Sequence, residues 1–340
     1  MSVAVTVRPL ALGDDAELAA AHAVESAATG HVRPGWVPLG EAARVAGWRA
    51  DDGWDRHLVG AFDGTDLVGI ATAQTAHDTP DTCWVDVAVH PRAQRHGVGR
   101  RLAEFVEVSA LPDVTRFVAS AHRPTAAAVH ELVDGFARRL GYTLATTETV
   151  VELDLEHAEL PTDGAPTAYA ISTHVDGVPT HLRAEVGVLK GLVDAEAPNG
   201  ELEWQPTPVT EQEYADEIAL WQQQGRTAIE SVALDPHGHV VAWTGLVVAA
   251  DPARPAQVEG TLVRSEHRGH RLGQAVKVAS LRAAREHGRA TRVRTSSDDA
   301  NVWMRAINAE LGFVPVESEV IVHRRRASPP LRTPIVRDPV

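Results

Sequence analysis

The sequence has little of what would tie the chain to a disulfide, a membrane or a secretory route. Cys83 is its one cysteine, so neither an internal disulfide nor a cluster of cysteine metal ligands can form. No apolar run approaches the roughly 20 residues that cross a bilayer. The first fifteen residues lack the basic and apolar segments of a secretory signal. These absences predict a cytoplasmic protein that does not act at a membrane.

Charge and histidine spacing exclude two further classes of function. The formal net charge is −14, whereas nucleic-acid binding draws its affinity from basic surface, so no nucleic-acid partner is expected. Seventeen histidines are present, but they show no H-E-x-x-H or comparable spacing, so no metal is predicted. The acidic total is compatible with a cationic small molecule as substrate. We expect a monomer or a homodimer.

Two glycine-containing stretches are near-copies of each other. Residues 94–102 read QRHGVGRRL and residues 268–276 read RGHRLGQAV. Each follows the apolar pattern of a strand and opens the pattern of a helix, and Gly99 and Gly273 are 174 positions apart, about half of the chain. Repetition on this scale indicates two related units.

The elements predicted around these loops follow the same order in both halves. A hairpin, a strand, the glycine loop, a helix, a strand, a helix and a closing strand succeed one another, with Asp63-Gly64 as the first hairpin turn. Gly288 is expected to end the helix after the second loop. The pattern predicts a mixed α/β (α+β) fold in two domains, residues 1–156 and 169–326. A linker rich in Pro, Gly and Thr (157–168) joins them, and a proline-rich tail (327–340) follows.

The loops have the properties of an anion site. A loop that opens a helix presents backbone N–H groups without partners at the positive end of the helix dipole. Gly97 and Gly99 allow close approach to the backbone, and Arg95, His96 and Arg100 add positive charge. The alternative is a sharp turn with a solvated basic face, which two equivalent loops disfavour. Neither copy has G-x-x-x-x-G-K-[ST] or the three-glycine dinucleotide pattern, which argues against a nucleoside triphosphatase and a Rossmann domain.

At these residues the sequence resembles the GNAT superfamily of acyl-CoA-dependent N-acetyltransferases. VAVHPRAQRHGVGRRL (87–102) looks like the V-x-P-x-x-[QR]-x-x-G-x-[GA] signature. LVRSEHRGHRLGQAVK (262–277) is similar to the variant in the C-terminal halves of tandem GNAT proteins, including mycothiol synthase. NVWMRAINAELGF (301–313) resembles the helix that closes such domains. The resemblance implies two GNAT domains in tandem, each with a mixed, mostly antiparallel sheet, a splayed strand pair and flanking helices.

The resemblance also implies that acetyl-CoA, or coenzyme A, is bound as a cosubstrate. The splayed strand would hold the pantetheine arm through Val87 and Val89, or through Thr261 and Val263. The loop residues would hold the pyrophosphate: Gln94, Arg95, His96, Gly97, Val98, Gly99 and Arg100 in the first half, and Arg268, Gly269, His270, Arg271, Leu272, Gly273 and Gln274 in the second. Arg271 stands where the first half has Gly97; an arginine lacks the freedom of glycine at positive φ, but its side chain could bind a phosphate.

Candidate catalytic groups accumulate in the second half. In GNAT enzymes a base often lies four or six residues before the signature valine, which gives Glu259 and Gln257 in the second half but Val85 and Cys83 in the first. Glu259 is a candidate general base; the alternative is a salt-bridged surface acid. Cys83 reads as a small buried hydrophobe.

The helix that closes each domain gives the remaining candidates. The position that often serves the leaving thiolate is Asn308 in the second half and Ala137 in the first. Asn301 would contact the cofactor, with His130 as its counterpart in the first half. Trp303 and Met304, in the same helix, are expected in the core.

The acceptor region is predicted only loosely. The segment GLVDAEAPNGELEWQP follows an early helix of the second domain, a region that commonly lines a GNAT acceptor pocket. Its acids Asp194, Glu196, Glu201 and Glu203 could attract an ammonium group, or could form a solvated loop.

The expected function is acetyl transfer from acetyl-CoA to a primary amine of a small molecule, in a ternary complex on the C-terminal domain. The N-terminal domain is expected to be non-catalytic. Two alternatives stay open: a coenzyme-A-binding regulatory module without turnover, and a mycothiol-synthase-like acetyltransferase.

Overall fold

The computed structural model describes residues 5–77, 79–109, 113–161, 168–202 and 204–326. Glu203, the tail from residue 327 and half of the predicted linker (162–167) lie outside the described residues. No described helix has the length and apolar character needed to cross a membrane.

Both halves contain the same succession of strands and helices. The elements of the first half are β1 (Thr6–Pro9), α1 (Asp15–Val32), α2 (Glu41–Arg49), β2 (Trp54–Asp63), β3 (Asp66–Ala76), β4 (Thr82–Val89), α3 (Val98–Ser109), β5 (Arg116–Arg123), α4 (Ala126–Leu132) and β6 (Thr143–Asp154). Those of the second half are β7 (Ala170–Val175), α5 (Thr180–Glu196), α6 (Glu211–Gln223), β8 (Thr227–Leu234), β9 (Val240–Val248), β10 (Ala256–Val263), α7 (Leu272–His287), β11 (Arg292–Asp298), α8 (Val302–Glu310) and β12 (Val314–Arg325).

Local signals in the sequence set several boundaries. Gly64 adopts φ +62° in the β2–β3 turn, a conformation that glycine enters readily. Thr210 and Glu213 form a capping box at the start of α6. Gly288 ends α7 in the left-handed conformation, as predicted. The hairpins and helix ends thus follow from nearby residues.

All twelve strands join in one sheet, in the order β1-β2-β3-β4-β5-β12-β6-β11-β10-β9-β8-β7. The closing strands are exchanged: β12 pairs with β5 of the first half, and β6 pairs with β11 of the second. β6 and β12 also pair with each other, antiparallel, at the centre of the sheet. The two halves are therefore joined through their last strands.

The helices cover both faces of the sheet. In the first half α1 packs over Leu58 and Ile70, whereas α3 packs over the adjacent Val59 and Ala71, which point to the other face. The second half repeats this, with α5 and α6 on one face and α7 on the other. Arg33, at the end of α1, reaches Glu317 of β12, and Glu317 also contacts Arg294 of β11. The end of α1 therefore lies over the centre of the sheet, beside strands β12 and β11.

Each half contains one parallel strand pair that opens into a wedge. β4 pairs with β5 only from Thr82 to Trp84, although both strands continue further. β10 pairs with β11 only at Ala256 and Gln257. β10 differs from β4 by a register shift between Val258 and Gly260, which makes Glu259 the extra residue of a β-bulge.

One core prediction is wrong. Trp303 is 82% exposed on the outer side of α8, and the neighbouring Val302 is exposed too. Only part of this short helix faces the sheet, and Asn308 is its buried residue.

Candidate functional site: the two loops and the wedges beside them

The two glycine loops have the same backbone shape, although the arginine and the glycine at positive φ exchange places between them. Each has two positions at positive φ. In the first loop these are Arg95 (66°) and Gly97 (82°), and in the second Gly269 (81°) and Arg271 (55°). Positive φ costs a residue with a side chain some free energy, yet both arginines adopt it. Arg271 therefore does not change the shape of the second loop.

The helices that follow begin with unpaired backbone donors. The first helical hydrogen bond of α3 is donated by Arg101 N–H to Gly97 O (3.2 Å), and that of α7 by Ala275 N–H to Arg271 O (3.0 Å). The preceding amides, 98–100 and 272–274, have no partner within the helix. Val98 and Leu272 are buried and fix the start of each helix against the sheet. Each junction directs a row of N–H groups at one place, the arrangement that binds phosphate.

Side chains at the loop entrances fix the loops to the strands. Gln94 Nε2 donates to Val89 O (3.0 Å), and Arg268 Nε donates to Val263 O (3.2 Å). These two predicted cofactor contacts therefore hold the carbonyl groups of the signature valines, at the ends of β4 and β10. Arg268 also pairs with Glu196, which places that predicted substrate acid beside the loop.

The other predicted loop residues have local partners or remain available. Arg100 is exposed and 3.7 Å from Glu104. Gln274 donates to Glu310 (3.0 Å). His270 lies against the ring of Tyr169. Val87 is half-buried on β4. On β10 the hydroxyl of Thr261 meets that of Thr244 at 2.7 Å.

The bulge of β10 places Glu259 on the face covered by α5 and α6. Its carboxylate is 3.8 Å from Arg226 Nη2, and its side chain is 33% exposed. Partial burial raises the pKa of Glu259; Arg226 and Lys190 lower it, and Glu217 raises it. A carboxyl group with a raised pKa beside a wedge is a stronger base than an ordinary carboxylate, which suits a general base.

The bulge also changes how β10 matches β4. Gly260 pairs with Gly245 as Asp86 pairs with Thr72, so Asp86 matches Gly260 and Glu259 is an extra residue. Asp86, which sequence counting missed, is therefore the acid of β4 that lies next to the place of Glu259. Thr72 Oγ1 and Gln74 Nε2 donate to its carboxylate, both at 3.4 Å. The alternation of the unbulged strand around Asp86 was the signal that could have found it.

A buried lysine lies on the opposite side of the second wedge. Lys277, on α7, is only 3% exposed, and its Nζ donates to Asn308 Oδ1 at 2.7 Å. Burial lowers the pKa of Lys277 to about 7. Asn308 also approaches Ser297 Oγ (3.4 Å). The position predicted to serve the leaving thiolate thus comes with an ionisable donor that sequence analysis missed, although a lysine among the core-facing positions of a helix was a detectable signal.

The first half has no such pair. Phe313 N–H donates to Asn308 O (3.0 Å), and Tyr142 N–H donates in the same way to Ala137 O (3.1 Å), so Asn308 and Ala137 occupy matching positions. The residue that matches Lys277 at the 174-residue offset is Ala103, which is also buried.

Asn301 serves α8 as its N-cap, accepting from Met304 N–H at 3.1 Å. The corresponding cap of α4 is Thr125, which accepts from Ala128 N–H at 3.3 Å. His130, the predicted counterpart of Asn301, lies inside α4 rather than at its cap. The helical segment of the first half is longer and continues through a π-helical stretch, Val133–Ala137. Met304 is half-buried, with its sulfur 3.6 Å from Lys277 Nζ.

The loop between the first two helices of each half lies over the wedge of the other half. Trp204, from the α5–α6 connection, stacks on Trp84 of β4 with ring centroids 6.0 Å apart. Leu202 is 1% exposed in the same cluster. Within the described residues, this contact fills the face of the first wedge where an acceptor would enter.

The matching place in the second half is open. A cavity of about 280 Å³ lies between the α1–α2 connection and the start of the β10–β11 wedge. Trp36 lines it from the first half, and Gln257 lines it where Trp84 stands in the first half. Both Trp84 and Gln257 are the last residues paired with the next strand. One wedge is thus filled and the other accessible.

The remaining predicted acceptor acids do not gather at this cavity. Asp194 lies near the end of α5, where burial raises its pKa. Glu201 pairs with His323 of β12 at 2.9 Å, and Glu203 is outside the described residues. The α5–α6 segment thus crosses to the first half, while the second cavity is lined from the α1–α2 segment.

Comparisons with known proteins agree with this geometry. The model of the acetyltransferase (GNAT) family matches residues 29–136 and 197–313, one match in each half. The chain belongs to the GNAT family. It is an N-acetyltransferase of tandem architecture, and proteins of this family use acetyl-CoA. The sequence has no significant match among curated proteins.

Solved structures share the fold over nearly the whole chain. A tandem GNAT protein from the clavulanic acid biosynthesis pathway is 24% identical with a TM-score of 0.77, covering 94% of this chain and 98% of that one. A GCN5-related N-acetyltransferase from Sphaerobacter thermophilus is 17% identical with a TM-score of 0.66, covering 94% and 95%. A fungal glucosamine N-acetyltransferase region is 14% identical with a TM-score of 0.67, covering 95% of this chain and 38% of that one. At these identities the likeness concerns the fold.

Among the described residues, no three His, Cys, Asp or Glu side chains come together in a way that could hold a metal ion.

Proposed function

We propose that the GNAT protein transfers an acetyl group from acetyl-CoA to a primary amine of a small molecule, by direct attack in a ternary complex on its second half. The choice of half depends on one observation, the cavity beside the second wedge. In the first half the corresponding face is filled by Trp84 and Trp204.

The α7 loop would hold the pyrophosphate of acetyl-CoA. The amides of residues 272–274 have no helical partner, and the helix dipole adds positive potential at the same place. Beyond Gln257, β10 no longer pairs with β11, so its backbone groups can bind the pantetheine arm. A backbone N–H at the bulge would polarise the thioester carbonyl.

Glu259 would act as the general base, directly or through a water molecule. It takes a proton from the acceptor ammonium group, and the free amine nitrogen attacks the carbonyl carbon. The C–N bond forms, the C–S bond breaks, and the sulfur leaves with the electron pair. The nitrogen then releases its second proton to water.

Lys277 would give its proton to the leaving thiolate, with Asn308 holding its ammonium group in place. Its pKa of about 7 is close to that expected of an efficient acid at neutral pH. Asn308 cannot transfer a proton itself, so the lysine provides what the asparagine lacks.

The first half would bind coenzyme A without turnover. Its loop has the same backbone shape, with Arg95 and Gly97 at positive φ, but its acceptor face is filled. This supports the binding-module alternative for that half alone.

The test is the Glu259→Gln variant, with Asp86→Asn as its matched control in the first half. We expect release of free thiol from acetyl-CoA with at least one primary amine. Glu259→Gln should lower kcat/KM by about 100-fold or more, whereas Asp86→Asn should leave it nearly unchanged. Because the base must be ionised, kcat/KM of the wild type should fall as pH falls through the raised pKa of Glu259. Thiol release without this dependence, or full activity in Glu259→Gln, would reject the assignment.

A further inference from the structure

The cavity beside the second wedge is lined by three arginines, and they differ in whether a carboxylate lies close to them. Arg33 is paired with Glu317 through two hydrogen bonds, of 2.8 and 2.6 Å. Arg294 is paired with Glu152 at 2.8 Å. These two guanidinium groups of the cavity lining therefore already have carboxylate partners.

Of the other charged groups in the lining, two lie close to each other and one has no close partner within the described part of the chain. His122 lies 3.2 Å from Glu319, and both are partly buried. Arg254 is different: among the described residues its side chain forms no hydrogen bond and no ion pair, although Asp251 acts on it at longer range. One guanidinium group of the cavity thus lacks a close counter-ion.

The unpaired charge has a neighbour of the same sign. Burial lowers the pKa of Arg254, and the Arg226 guanidinium lowers it further. Arg226 itself is held only at 3.8 Å from Glu259. Arginine stays charged in proteins, so both groups retain positive charge at a partly desolvated place. An anion brought there would gain more than one bound at an exposed arginine.

The position of this charge relates it to the proposed chemistry. Gln257 and Val258, which directly precede the proposed base Glu259 on β10, line the cavity together with Arg254. A molecule whose amine lies at Glu259 would therefore extend into the cavity that Arg254 lines. The volume of about 280 Å³ is near the lower end of ligand pockets, roughly 300 to 1,000 Å³, which favours a small acceptor.

We propose that the acceptor is a small amine that also carries a carboxylate, which Arg254 binds in this cavity. This inference rests on the proposed function for the amine and on the cavity for the carboxylate. The planar guanidinium group matches a carboxylate through two parallel hydrogen bonds. Selectivity would then come from the α1–α2 segment of the first half, because Trp36 lines the same cavity.

The experiment compares matched amines that differ in the carboxylate. Thiol release from acetyl-CoA is measured with L-ornithine against putrescine, L-lysine against cadaverine, and β-alanine against ethylamine. We expect the carboxylate-bearing member of at least one pair to have a kcat/KM at least 10-fold higher. Phosphoethanolamine replaces the carboxylate of β-alanine by a phosphate, and a preference for it would overturn the carboxylate assignment.

Variants connect the preference to Arg254. Arg254→Gln should raise KM for the preferred amino acid by about 10- to 100-fold, with little change in kcat and none for the amine without a carboxylate. Arg254→Lys should recover part of the loss. Arg138→Gln, an exposed arginine of the first half, is the control. An equal effect of Arg254→Gln on both members of a pair would overturn the proposal.

A direct binding measurement distinguishes a failure of this proposal from a failure of the proposed function. If no amine releases thiol, the proposed function fails, and calorimetric titration of the same amino acids into the full chain decides the present inference. Saturable binding that is lost in Arg254→Gln would support the carboxylate site, and its absence would overturn it. Turnover confined to putrescine, cadaverine or ethylamine would keep the proposed function and reject the carboxylate.

Discussion

The two halves of the protein share the backbone shape of the glycine loop, but they differ in the side chains on the sheet and in the core beside it. At the loop the backbone forms the arrangement, so Arg95 and Gly97 in one half can be replaced by Gly269 and Arg271 in the other without a change of shape. On the sheet the side chains decide: Trp84 stands where the second half has Gln257. On the proposed function, binding a phosphate would be a property of the backbone that tolerates substitution, whereas chemistry and acceptor access would depend on a few side chains.

The helix-covered core below the wedge shows the same contrast. Lys277 and Asn308 of the second half are matched by Ala103 and Ala137 of the first. Buried polar groups of the first half serve structure instead: Tyr142 donates to Glu107 at 2.6 Å, and Glu107 is paired with Arg324 of the exchanged strand β12.

The largest expected effect comes from giving the second half the side chain of the first. Gln257→Trp should fill the acceptor cavity and lower thiol release by about 100-fold or more, since small displacements at a reacting centre already have effects of that size. Coenzyme A binding, measured by calorimetry, should not change. Gln257→Ala is the control and should remain active; full activity of Gln257→Trp would show that the acceptor enters elsewhere.

An aspartate introduced into either loop should distinguish the loop that is needed for turnover from the loop that only binds coenzyme A. Gly273→Asp should be accommodated, because a Cβ there would be 3.5 Å from Val263, but its carboxylate would repel the pyrophosphate. We expect about 10- to 100-fold weaker binding at that loop and loss of turnover. Gly99→Asp should remove the other binding event and leave turnover intact. Calorimetric stoichiometry should be two in the wild type and one in each variant; a wild-type stoichiometry of one that Gly273→Asp leaves unchanged would contradict this.

Replacement of the buried lysine tests the difference below the wedge. Lys277→Met should lower kcat by about 100-fold, and Lys277→Gln, which can still donate a hydrogen bond, should be no better. Stability provides a second measurement. The pKa of Lys277 is about 7 when folded and about 10.4 in an unfolded chain, so the unfolded state binds more protons between these values. The free energy of unfolding should therefore rise with pH across that range by more in the wild type than in Lys277→Met. Parallel curves would mean that the lysine is not buried as described.

The smallest effect is expected where the halves are equivalent. Asn301→Ala and Thr125→Ala each remove the N-cap of the helix after the splayed pair, α8 and α4. Each should lower the free energy of unfolding by about 1 kcal/mol, measured by urea denaturation. A much larger loss of activity in Asn301→Ala than this stability change explains would restore a cofactor role to Asn301.

Local patterns predicted most of the fold. The hairpin at Gly64, the end of α7 at Gly288 and both loops depend on residues close in sequence, so composition and periodicity sufficed. The exchange of β6 and β12 joins residues more than 100 positions apart. Nothing in the pattern of either strand selects its partner, because both alternate in the same way.

The candidate site could be predicted only in part for related reasons. Glu259 was found by counting, but the bulge that positions it depends on how β9 and β10 pair, and it hid the match of Asp86 to Gly260. The pairing of Lys277 with Asn308 joins two helices. Arg254 and Trp36 come together only because one half covers the wedge of the other. Spacing along the chain locates groups within an element, whereas these contacts require the packed structure.

The exchange of the closing strands β6 and β12 limits how the gene can be shortened during evolution. A gene truncated after residue 156 would encode a protein whose β5 has lost its neighbour β12, and the remaining piece would leave β11 without β6. Both fragments would then present unpaired strand edges, which favour aggregation. Even a half without catalytic activity would therefore be indispensable, because selection for a folded protein would be enough to preserve it.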